Sequence, residues 1–184
     1  TSSTSVRRTY PAGSRLEAMP ARDGWPLRSF DWPADREPRG SILFQGGRGD
    51  IIEKYLELFG HWHFSGWNVA SFDWRGQGGS GRLAADPHVG HCPDFGLWID
   101  DFADFVADWA ARTPGPHIII GHSMGGHLVL RALVEQRIVP DSIVLVAPML
   151  GFETRPLPLR LAAWIVRQLA RHWPERAAWK ANER

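Results

Sequence analysis

The sharpest chemical signal in the chain is Gly121-His122-Ser123-Met124-Gly125, a G-x-S-x-G stretch. An apolar run, His117 to Gly121, leads into it, and an amphipathic pattern follows. A serine set between glycines at such a junction points to nucleophilic catalysis. The strained turn from strand to helix pushes the hydroxyl out above a sheet edge. Side chains two residues either side would collide there, which is why both positions are glycine. The helix N-terminus behind Ser123 offers a positive dipole end where an oxyanion could form.

A serine hydroxyl is a poor nucleophile until a base takes its proton. Five histidines come into question. The His122 side chain should point away from the hydroxyl, and His127 lies one helical turn beyond it. His117 is at the wrong end of its strand. His88 and His91 sit on a loop near the carboxyl edge of the sheet and could only swing in. The expectation is that the base is not among them.

Other clusters compete for attention. Gly76-Gln77-Gly78-Gly79-Ser80-Gly81 fits a dinucleotide fingerprint, which requires a helix opening at its glycines. The following "RLAADPHVGHCP" has two prolines and no apolar period, so a tight loop is expected and no cofactor. His88, His91, Cys92 and Asp94 match no zinc spacing, and His61 and His63 would point to nearly opposite sides of a helix. No metal is expected. Arg48-Gly49-Asp50 is read as a chance tripeptide.

These residues need a scaffold. The chain has 184 residues, enough for one sizeable core, with ten tryptophans and a net charge of +1 that gives no reason to expect a nucleic-acid partner. The single cysteine, Cys92, excludes an internal disulfide and fits a reducing compartment. No apolar run is long enough to span a bilayer, and a cytoplasmic location is expected, with peripheral membrane contact through 157–173 as an option. Residues 1–13 read as a flexible leader. Asp23-Gly24 marks a hairpin between two short extended runs. "SILFQ" (41–45), "WNVASFD" (67–73), "HIIIG" (117–121) and "SIVLVAP" (142–148) read as strands, the last two buried. Helical periods start at Ile51, at Phe95 and after Ser123, the last running to about Arg137. This alternation predicts an α/β fold: a mostly parallel sheet with helices on both faces, fronted by an antiparallel hairpin.

Three stretches, in order, resemble the α/β-hydrolase superfamily, and within it the lysophospholipase and monoacylglycerol-lipase branch, also grouped with the S33-type serine aminopeptidases. "GHSMGG" matches the nucleophile elbow. "FDWRGQGGS" (72–80) matches the D-x-R-G-x-G-x-S loop. "LFQGGRGD" (43–50) takes the place of the H-G-x-x-E stretch, with Gln45 where the branch usually has histidine. The resemblance implies Ser123 as nucleophile and an oxyanion hole from the backbone N–H groups of Gly47 and Met124. It implies an acyl ester or lipid substrate. In this fold the acid and histidine follow the serine on later strand-end loops. The expectation is therefore the N-terminal portion of a longer hydrolase, cut after the sixth strand: core at 14–150, start of a cap or lid at 151–184. The alternatives are an aminopeptidase-type or other hydrolase, and a non-catalytic fragment or binding module. In the tail, Leu161, Trp164, Ile165 and Leu169 share a helical face beside Arg160, Arg167 and Arg171. That helix is read as a lid, a membrane-surface helix or a helix packed on the core.

Overall fold

The computed structural model describes residues 9–151 and 158–173. Strands β1 (Arg15–Pro20) and β2 (Pro26–Trp32) form the expected hairpin, with Gly24 at φ +80° in its turn. The chain continues through β3 (Ser41–Gln45), a 3₁₀ turn (Ile52–Tyr55), α1 (Leu56–Phe64) and β4 (Asn68–Phe72). After a long loop come α2 (Phe95–Arg112), β5 (His117–His122), α3 (Met124–Val134), β6 (Ser142–Val146) and α4 (Leu159–His172). The six strands form one sheet in the order β1-β2-β4-β3-β5-β6. β1 and β2, and β2 and β4, run antiparallel, while β4, β3, β5 and β6 are parallel.

Strand alternation divides the core. Leu43 of β3 joins Phe72, Trp74, Phe102, Trp109 and Leu128 on the side of α2 and α3. Its neighbour Phe44 joins Phe30, Trp32, Ile52 and Phe59 on the side of the 3₁₀ turn and α1. Several of the tryptophans are thus core residues. Residues 1–8 of the stretch read as a leader lie outside the described residues; Tyr10 packs on Phe30 and donates to Glu53 Oε1.

Three readings need correction. The helical period from Ile51 opens as a 3₁₀ turn and becomes α-helical only at Leu56. β6 is not a buried strand: Ile143 and Leu145 pack on the core, but Val144 and Val146 are each 45 % exposed. Its composition is apolar enough for burial on both faces. Among the described residues it pairs only with β5, however, and its second face, with Val144 and Val146, is left open. The helix after Ser123 also ends earlier than expected, at Val134, with Gln136 at φ 56° beyond it.

The order places β3 between β4 and β5. The chain leaves β3 toward one neighbour and returns on the other side, which opens a crevice at the carboxyl ends of β3 and β5. Gly46-Gly47 and Ser123 follow those two ends directly.

Candidate active site

Ser123 has φ 52° and ψ −118°, a region that side-chain-bearing residues rarely adopt. Three backbone hydrogen bonds hold it there. Its N–H donates to Val146 O at 3.0 Å, and its carbonyl accepts from His127 N at 3.1 Å and Met149 N at 2.9 Å. Ala147, on the segment that supplies two of these partners, is itself at φ 43°. The turn is therefore braced from the outer strand as well as from its own helix.

The flanking glycines are required by close approach. A Cβ on Gly121 would lie 2.7 Å from Gly126 Cα, and one on Gly125 would lie 2.5 Å from Gln45 O. Gly47 packs against the serine: a Cβ there would be 3.0 Å from Ser123 Cβ and 3.4 Å from Ser123 Oγ. The loop after β3 thus meets the loop after β5 at the half-buried serine. Gln45 is fully buried, and its amide has no hydrogen-bond partner among the described residues.

Met124 opens α3, so its N–H has no partner within the helix. Gly47 differs. Its N–H donates to Asp50 Oδ2 at 2.7 Å, so this donor is already engaged. Asp50 also accepts from Tyr55 OH at 2.6 Å and pairs with Lys54 Nζ at 2.5 Å. His122 Nδ1 stands 3.4 Å from Asp50 Oδ2 and 3.1 Å from Tyr55 OH, which directs its ring into this network. Burial raises the Asp50 pKa, but Lys54, Tyr55 and the Gly47 N–H outweigh it and hold the carboxyl below its ordinary value. Burial, and then the Asp50 carboxylate, push the Tyr55 phenol up. This network was not foreseen. Its one sequence signal is the i,i+4 pair Asp50 and Lys54.

No histidine hydrogen-bonds Ser123 Oγ among the described residues. His117 bonds Thr113 at the start of β5, and His127 lies edge-on to Phe95. His91 donates its backbone N–H to Val89 O, and His88 donates its own to Asp86 Oδ1. Asp94 caps α2 by accepting from Gly96 N, and Cys92 Sγ contacts Asp94 O at 3.2 Å. Burial raises the Cys92 thiol pKa. No group of three or more His, Cys, Asp or Glu side chains among the described residues could hold a metal ion. His63 is buried and stacks on Trp32 at 3.9 Å between ring centroids.

The glycine-rich loop at 76–81 wraps a carboxylate of its own chain. Asp73 accepts from Gly79 N at 2.7 Å, Ile52 N at 3.0 Å and Arg28 Nε at 2.7 Å. A Cβ on Gly78 would overlap Asp73 Oδ2. Ser80 Oγ donates to Asp73 O at 2.7 Å and accepts from Arg28 N at 2.8 Å. Arg75 is buried between Asp101, with two bonds of 2.8 Å, and Asp23, at 2.6 and 2.9 Å. These charged residues tie β2, the 3₁₀ turn and α2 to the loop after β4. The Arg48-Gly49-Asp50 tripeptide is equally structural: Gly49, at φ 74°, donates its N–H to Gln77 Oε1.

Comparison with known proteins agrees with this architecture. Lysophospholipase L2 of Escherichia coli strain K12 is 36 % identical over 157 residues, covering 83 % of this chain and 43 % of that protein. Phospholipase YtpA of Bacillus subtilis is 32 % identical over 127 residues, 68 % of this chain and 46 % of that one. Among solved structures, a soluble variant of monoglyceride lipase from Saccharomyces cerevisiae, in complex with a substrate analog, superimposes with a TM-score of 0.65. It is 20 % identical and covers 96 % of this chain and 57 % of that one. The Paleococcus ferrophilus monoacylglycerol lipase gives a TM-score of 0.63 at 21 % identity, over 80 % of this chain and 52 % of that one. The chain thus has the α/β-hydrolase fold and spans less than half the length of these two curated relatives. The sequence profile described as Serine aminopeptidase, S33 matches residues 36–183, and the chain belongs to that family.

Proposed function

We propose that Ser123 is the nucleophile of a serine hydrolase acting on carboxylic esters, with lysophospholipids or monoacylglycerols as the substrate class. The observation that carries this reading is the braced, positive-φ Ser123 set against Gly47 at the carboxyl end of β5. The names of the relatives favour a lipid ester over an amide. Ser123 Oγ attacks the ester carbonyl carbon as a base takes its proton. The tetrahedral oxyanion is held by the N–H groups of Met124 and Gly47, the latter once Asp50 releases it. Collapse breaks the bond to the alcohol, which leaves with a proton, and water then cleaves the acyl-serine. The base and its acid partner belong to polypeptide outside this chain, consistent with its covering 43 % of the lysophospholipase.

A second reading, a chain that is inert by itself, is favoured by the engaged Gly47 N–H and the absence of a base on Ser123 among the described residues. A fluorophosphonate probe tests both. Label is expected on Ser123 in the full product of the encoding gene, absent after Ser123→Ala, and absent from this chain alone. Robust ester turnover by this chain, abolished by Ser123→Ala, would overturn the placement of the base elsewhere. Failure to label the full product would overturn the nucleophile. Long-chain acyl esters against amino-acid amides separate lipase-like from aminopeptidase-like activity.

A further inference from the structure

α4 is the most strongly amphipathic helix described, and it shows much of its apolar side to solvent. Leu161, Ile165 and Leu169 follow one another at four-residue spacing, so they form one stripe. Ala162, Ile165 and Gln168 are half-buried, whereas Leu161, Trp164, Val166 and Leu169 are between 44 and 61 % exposed. Arg160, Arg167 and Arg171 fall together on the opposite side of the helix, beside Trp164. None of the three makes an ion pair among the described residues. Leu159–His172 contains no Asp or Glu. Elsewhere Arg22, Arg28, Arg75, Arg112, Arg131 and Arg137 have carboxylate partners, and Arg39, Arg48 and Arg82 bond backbone carbonyls. None of the described helices is long and apolar enough to cross a membrane.

We infer that α4 docks this protein flat on an anionic lipid surface. A helix with an aliphatic stripe, a tryptophan at its polar boundary and an all-cationic polar side suits the bilayer interface. The apolar stripe enters the acyl boundary while the arginines reach the headgroups. A second copy of this helix would cover the stripe but add like charge without a carboxylate to balance it. An anionic bilayer supplies apolar depth and counter-charge together. Such docking does not require Ser123 to be reactive.

Flotation of the chain with two vesicle types tests this. Binding is expected to vesicles of equal parts phosphatidylglycerol and phosphatidylcholine, and it should weaken as salt is raised. Pure phosphatidylcholine vesicles should bind at least tenfold more weakly, given about fivefold per arginine near an anionic surface. The triple variant Arg160→Gln/Arg167→Gln/Arg171→Gln should fall to the level of neutral vesicles. Leu161→Asp/Leu169→Asp should abolish flotation, with an unchanged circular dichroism melt showing that the core is intact. No binding to either vesicle, or binding unchanged in both variants, would overturn the proposal and mark the stripe as a packing face for further polypeptide. Equal binding to both vesicle types would overturn the anionic requirement.

Discussion

The inner and outer halves of the sheet are built from similar residues and end in different states. β3 and β4 lie between helices, and Leu43, Phe44, Val69 and Ala70 are all buried. β6 is as apolar, yet alternate residues along it face outward, and Val139 before it is 93 % exposed. Apolar composition makes a strand able to be buried; a neighbour on each face makes it so. The contrast bears on the site because the elbow straddles the two regions. Ser123 N–H donates to Val146 O, at the end of the outer strand. The most strained residue in the proposed chemistry therefore depends in part on the less protected edge.

Substitutions can break or sharpen this contrast. The largest effect is expected where the core is complete. Ile119→Ala on β5, at a side chain 0 % exposed, should cost about 3 kcal/mol in urea unfolding, and Val144→Ala on β6 under about 1 kcal/mol. Equal losses would mean that the outer face is covered in solution. Next comes the link between regions. Asp50→Ala strips Gly47 N–H and Tyr55 OH of their shared acceptor and should cost about 2 kcal/mol by the same measurement, because hydrogen bonds to charged groups lie in that range. An unchanged midpoint would show that the loop after β3 does not rely on Asp50.

The smallest effect is the acid dependence of the inner network. Glu53 is subject to a desolvation penalty, but its bonds to Arg28 and Tyr10 prevail and lower its pKa to about 2. A carboxylate depressed in the folded state stabilises it above the unfolded pKa, and that contribution is lost as pH falls toward 2. Stability should therefore decline from about pH 4.5 downward. Glu53→Gln should flatten this decline. Asp73 opposes it in part, since burial raises its pKa. An identical acid limb in the variant would remove Glu53 from the network that contributes it.

Much of the fold was legible in order and kind. Short apolar runs and 3.6-residue patterns marked the strands and helices, and Gly121 and Gly125 around Ser123 announced a tight turn because a side chain at either glycine would collide with neighbouring backbone. The 3₁₀ opening at Ile52 was missed, since an apolar period does not distinguish the first tight turn from the helix that continues it. The clamp of Asp50 on Gly47 was missed as well: it joins a backbone N–H to a side chain, and such a bond leaves little pattern in residue types.

Local chemistry along the chain thus determined which segments would be strands, where the bend would lie and which hydroxyl it would present, because periodicity and glycine placement act over a few residues. Only the folded arrangement decided that the glycine-rich loop would enclose Asp73, that Arg75 would be buried between Asp23 and Asp101, and that β6 would stay half exposed. Those outcomes depend on which distant segments meet, and burial and hydrogen bonding are properties of the meeting.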